Sequence, residues 1–267
     1  MTTLSASLPA SFANPQVIAA RVGPIPGALL RFWWHTARIP LSCFVPVAIL
    51  LATTDLDLYF AHGLFFDSGT GHWLGASNWW VASFIHVWGR WVVRLVVLVA
   101  LAMWSLSYAK PGCVHWRRPA GYFTLAVVLT VGVVGLLKLI TDVDCPWDLA
   151  AFNGSMPYVH LFEPRPHGLP RAACFPAAHA SSGYALMALY FVFLSRSRRL
   201  ARIGLVAGIC LGLVFGLAQQ SRGAHLLSHD IWSAMLAWLI PLSVYVWGFK
   251  CRLWSAADRD DAGMTMT

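Results

Sequence analysis

Residues 120–140, AGYFTLAVVLTVGVVGLLKLI, carry one charged side chain, Lys138. Such a run is long enough to cross about 30 Å of hydrocarbon as a helix. Inside a bilayer a segment like this must satisfy its own backbone hydrogen bonds, so it is a helix there. Comparable apolar runs with polar brackets fall at 38–54, 84–107, 178–195, 202–219 and 230–249. Only 11% of the 267 residues are charged, where a soluble domain carries about 25%. The deficit excludes a surface that faces water throughout. The expected fold is all-α: a polytopic membrane protein, built as a six-transmembrane-helix bundle in a single domain over 1–267.

Charge placement orients that bundle. Arg21, Arg31 and Arg38 precede the first span; Lys110, Arg117 and Arg118 follow the second. Arg196, Arg198, Arg199 and Arg202 follow the fourth, and Lys250, Arg252 and Arg259 follow the sixth. These are 13 of the 19 Lys and Arg residues, on one side if six helices alternate. By the positive-inside rule that side is cytoplasmic, with both termini. The net charge of +8 then reflects topology and phospholipid contact, with no nucleic-acid partner. The N-terminal segment 1–37 leads into GALLRFWWHTARIP, residues 27–40, amphipathic and aromatic, expected as a short interfacial helix. MTTLSASLPASFANPQ lacks the basic region, apolar core and cleavage site of a signal peptide, so the first span is expected to direct insertion. The tail 250–267 is expected in the cytoplasm. On the other side, 55–83 holds Asp55, Asp57 and Asp67 without a Lys or Arg. The connection 141–177 is long and proline-rich, and loops of that length tend to be functional.

Chemistry-bearing residues gather at the outer ends of helices three to six. KLITDVDCPWDL begins at Lys138, CFPAAHASSGYAL contains His179, and QQSRGAHLLSHDIW contains Arg222, His225, His229 and Asp230. A cation at the end of an apolar run is a functional candidate, with snorkelling to the interface as its ordinary alternative. Each imidazole alone reads equally as a packing residue. Three of them beside a Lys and an Arg suit an anion, and a phosphate fits: cations hold its oxygens while His attacks or protonates. The small residues around His179, with Gly183, leave room for a head group and close helix contact. His86, Arg90 and Arg94 share one helical face and are head-group candidates, or interfacial snorkelling residues.

These segments resemble the type-2 phosphatidic acid phosphatase superfamily, integral-membrane lipid phosphate phosphatases with motifs KxxxxxxRP, PSGH and SRxxxxxHxxxD. Lys138 is followed at the required spacing by Cys145 and Pro146, so Cys replaces the motif's Arg; Pro176–His179 reads PAAH. The third motif has two registers. With His225 as the family nucleophile, Ser228 fits, His229 occupies the Asp position and Gln219 the Arg position. With His229, Arg222 is one residue too distant and Ser233 takes the Asp position. The resemblance implies that His179 protonates the leaving group, that the third-motif His forms a phosphohistidine, and that Lys138 binds phosphate oxygens. It implies no metal and no cofactor. Asp230, beside His229, is a candidate to orient a neighbouring imidazole. Arg165, Arg171 and Arg222 are candidates to replace the missing Arg; Arg165 alternatively pairs with Glu163. Asp142, Asp144 and Asp148 are expected to hold the loop by caps and ion pairs. Cys145 and Cys174, beside the first two motifs, would be joined by a disulfide in an oxidising periplasm.

The expected function is hydrolysis of a lipid phosphate or diphosphate at the periplasmic face of a bacterial inner membrane. The partners are then the bilayer and a phosphorylated lipid: undecaprenyl diphosphate, phosphatidylglycerophosphate, phosphatidic acid or lipid A. A phosphotransferase using the same intermediate, and a non-catalytic lipid-binding or transport relative, are the alternatives.

Overall fold

The computed structural model describes residues 26–79, 85 and 87–254, without the side chain of Arg90. His86, Arg21, Arg259 and most of the two terminal segments lie outside the described residues. The chain opens with α1, Pro26–Thr53, and the short α2, Leu56–Leu64. A ribbon follows, in which β1, Phe66–Asp67, pairs antiparallel with β2, His72–Trp73. Helix α3, Gly89–Ala109, turns through a 3₁₀ segment, Pro111–Trp116, into α4, Arg117–Ile140. After the long connection come α5, Ala178–Tyr184, a 3₁₀ turn, Ala185–Met187, and α6, Ala188–Phe193. Helix α7, Arg198–Ser221, and α8, Leu227–Ser243, complete the bundle; α8 runs on through a π-helical turn, Val244–Gly248.

Among the described residues, five segments are long and apolar enough to cross a membrane: Pro26–Thr53, Trp91–Ala109, Pro111–Ile140, Arg198–Ser221 and Leu227–Gly248. Their outward faces are apolar, with Leu95, Leu98, Ile140 and Ile203 all more than half exposed, as lipid-facing side chains must be. The chain is therefore a multi-pass, mostly helical membrane protein.

Three expectations need correction. The aromatic segment GALLRFWWHTARIP is not a separate interfacial helix, because α1 continues unbroken from Pro26 with Pro40 and Pro46 inside it. The expected loop 55–83 contains α2 and the ribbon. The expected span 178–195 is not one long helix, since α5 and α6 are joined by a tightened turn.

The physical setting of that turn is α7. Gly204, Gly208, Gly212 and Gly216 recur every fourth residue and so share one face. A Cβ on Gly208 would strike the Met187 backbone, and one on Gly212 the Tyr184 ring; a Cβ on Gly183 would strike the Gly212 backbone. The missing side chains let α5 and α6 lie directly on α7, as small residues do between membrane helices. A main core of Tyr122, Phe123, Phe191, Leu242 and Tyr245 fills one end of the bundle. At the other end a satellite cluster forms, with the Trp73 and Phe152 rings 4.7 Å apart and Phe66 against both. It clamps the ribbon and the long connection over Leu226.

Candidate active site

The site lies at the satellite-cluster end, where α4 stops, α5 begins and α7 turns into α8. The long connection leaves and returns at one spot. Thr141 Oγ1 donates to the Phe175 carbonyl at 2.7 Å, and Cys174 N–H donates to the Val143 carbonyl at 3.0 Å. Cys145 and Cys174 are joined by a disulfide, with Cα atoms 5.2 Å apart. Asp142, left-handed just past the end of α4, accepts from Ala172 N–H at 2.7 Å. That bond first, and Arg165 after it, hold its carboxyl below the usual carboxylate range. Trp147 N–H donates to the Gly223 carbonyl at 2.9 Å, which ties this connection to the α7–α8 turn.

Gly223 itself adopts φ +73°, and the Trp73 ring occupies the space where a Cβ would project. This is one of the positions where only glycine fits on both counts. The turn it makes delivers His225, just before α8, and His229, in the first turn of α8, into the interior. Their Nδ1 atoms are 3.3 Å apart and both rings are buried. Burial first, then the neighbouring His229 and Lys138, keep the His225 ring well below the ordinary histidine range, which favours its neutral imidazole form.

His179 enters from the first turn of α5, buried and stacked on Phe215 with ring centroids 4.4 Å apart. His179 and Lys138 both lie near enough to His225 to disfavour its protonation. The second motif is anchored to α8 as well. Ser233 Oγ donates to the Ala177 carbonyl at 3.1 Å, and the Phe175 ring meets the His229 ring edge to face at 5.4 Å. His179, His225, His229 and Lys138 are thus drawn together from three separate parts of the chain.

The remaining candidates are distributed differently. Arg165 pairs with Asp144 at 2.7 Å and Asp142 at 3.1 Å; Glu163, its alternative partner, instead accepts from the His160 backbone. Arg171 is exposed and donates to the Leu139 carbonyl. Arg222 is half-buried, with Nη1 3.4 Å from Gln219 Oε1. Among the described residues, the hydrogen bond to the Asp230 carboxylate comes from Gln220 and not from an imidazole. The carboxylate faces the other side of α8, where Gln220 of α7 donates to it and an apolar groove of about 780 Å³ begins. Arg94 is exposed and stacks over Trp91, 4.9 Å from its centroid. Among the described residues no group of three or more His, Cys, Asp or Glu side chains could hold a metal ion.

Asp57 is the residue that sequence reasoning missed. It is buried, and its carboxylate accepts from Ser228 N–H at 2.9 Å. Ser228 lies in the first turn of α8, whose N-cap, Leu226, has no side-chain acceptor to offer. Burial pushes the Asp57 carboxyl above the usual range, against the hydrogen bonds from Ser228. A cavity of about 110 Å³ opens here, lined by Asp57, Tyr158, Arg165, Ser228 and His229. The only trace of Asp57 in the sequence is an acidic residue in a cation-free stretch.

A family model described as the PAP2 superfamily matches residues 119–253. Neither a comparison with curated proteins nor one with solved structures gives a match.

Proposed function

Because the chain belongs to the PAP2 superfamily, whose members are in general phosphatases acting on lipid phosphates, we propose that it hydrolyses a membrane lipid phosphate or diphosphate through a phosphohistidine on His225. His225 Nε2 attacks phosphorus while His179 protonates the departing oxygen; water then cleaves the N–P bond, its proton passing to His179. Lys138 and Arg222 hold the phosphoryl oxygens, where charge must be neutralised. Arg165 serves the connection, since Asp142 and Asp144 already occupy its guanidinium.

The observation that carries this reading is the buried His225–His229 contact, with Lys138 and His179 near enough to oppose protonation of His225. A neutral imidazole retains the lone pair that attack requires. Lys110, Arg117 and Arg118 lie at the start of α4, at the opposite end from Lys138. By the positive-inside rule this supports a site on the outer face of a bacterial inner membrane.

The test is phosphate release by purified protein from four lipid classes: undecaprenyl diphosphate, phosphatidylglycerophosphate, phosphatidic acid and lipid A. His225→Ala is expected to lower the rate on the active class by at least about 1,000-fold. Wild-type turnover in that variant overturns the reading.

A further inference from the structure

We infer that His229 is the positioning residue for His225, so that the site works through a histidine–histidine pair. The inference rests on the reading of His225 as nucleophile.

The 3.3 Å contact joins the two Nδ1 atoms. A hydrogen bond there needs one protonated and one bare nitrogen. With both rings neutral each carries one proton, and a bond between the two Nδ1 atoms then makes them opposite tautomers. If His225 Nδ1 donates, its Nε2 is bare and able to attack, and His229 carries its own proton on Nε2. The pair therefore presents one nucleophilic nitrogen, and the bond between the rings also fixes the direction in which it points. During attack the His225 Nε2–P bond forms, the P–O bond to the leaving group breaks, and the leaving oxygen takes the His179 proton. The His225 ring gains positive charge, and His229 Nδ1 accepts more strongly from it. When water breaks the N–P bond, the electron pair returns to Nε2.

A histidine differs here from a carboxylate in one measurable way. A carboxylate would hold the imidazolium form of His225 and raise the pH at which the nucleophile is lost. A neutral imidazole does not. Among the described residues, the other groups facing His225 are Lys138 from α4 and His179 from α5, both opposing its protonation, and the Cys174 backbone, which favours it and faces His229 as well. Asp57 is turned to Ser228 and Asp230 to Gln220.

Two measurements on the full-length protein test this. In ¹⁵N-histidine spectra at neutral pH, His225 is expected as the Nδ1–H tautomer and His229 as the Nε2–H tautomer; the reverse pairing, or two like tautomers, overturns the inference. This arm needs no turnover, so its failure is separate from failure of the phosphatase reading. With phosphatidic acid in detergent micelles, His229→Ala is expected to lose about 100-fold in kcat with KM little changed. His229→Asp is expected to recover much of that loss and to move the acid limb of kcat/KM to higher pH. An Asp variant whose profile matches that of the Ala variant, at equal thermal stability, reduces His229 to packing. Phosphate trapped on residue 229 overturns the assignment outright.

Discussion

Asp57 shows how a single side chain organises a site without a chemical motif of its own. The first turn of α8 has orphan N–H groups beside His229, and Leu226 cannot satisfy them. Asp57, from α2, takes one of them. Asp57→Ala is expected to cost about 1–2 kcal/mol of stability, the usual loss for a helix cap, and to lower turnover. Asp57→Asn, which keeps an acceptor oxygen, is expected to retain most of both. Thermal melts and phosphate release on the two variants check this. Asp57 was invisible in the sequence as a site residue because its partner is 171 positions away. Lys138, His179 and His225 were legible for the opposite reason: a charged or imidazole group at the end of an apolar run has few reasons to be there. Asp230 misled, because adjacency to His229 along a helix puts the two side chains about 100° apart, and α7 supplied Gln220 on that face.

The helices divide along similar lines. Long apolar runs announced α3, α4, α7 and α8 because a bilayer leaves such a segment no other way to satisfy its backbone. The fourth expected span is helical over 178–193 but carries a 3₁₀ turn in its middle, which its small residues do not announce. The glycine face of α7 lies directly against this segment, at Tyr184 and at Met187. Gly212→Leu forces the Tyr184 ring away and is expected to abolish or strongly reduce folded yield. Gly135→Ala on α4, where a Cβ meets nothing within 4 Å, is expected to be neutral or to stabilise by up to about 1 kcal/mol. Size-exclusion yield and thermal melts in detergent distinguish the two. Equal behaviour of both variants would remove the close α5–α7 contact as a requirement for folding.

At the scale of the molecule, the site is assembled by closure of one long connection. The disulfide between Cys145 and Cys174 has a separation of 29 residues, and closing a loop of that length removes about 3–4 kcal/mol of unfolded-chain entropy in the chain-entropy account. Reduction, or Cys145→Ser, is expected to lower both melting temperature and phosphate release, because Cys174 leads directly into the segment that carries His179. Alkylation masses with and without reductant report the bond itself; full activity of the reduced protein would show that the hydrogen bonds from Thr141 and Ala172 close the connection unaided. Apolar length and charge asymmetry were enough, from the residues alone, to require a helical membrane protein, and the spacing of Lys138, Pro146 and His179 was enough to suggest its chemistry. Those properties are local, carried by each segment whatever its neighbours do. The break between α5 and α6, the carboxylate under α8 and the pairing of the His225 and His229 rings were decided by tertiary structure, because each depends on which surface a neighbouring helix presents.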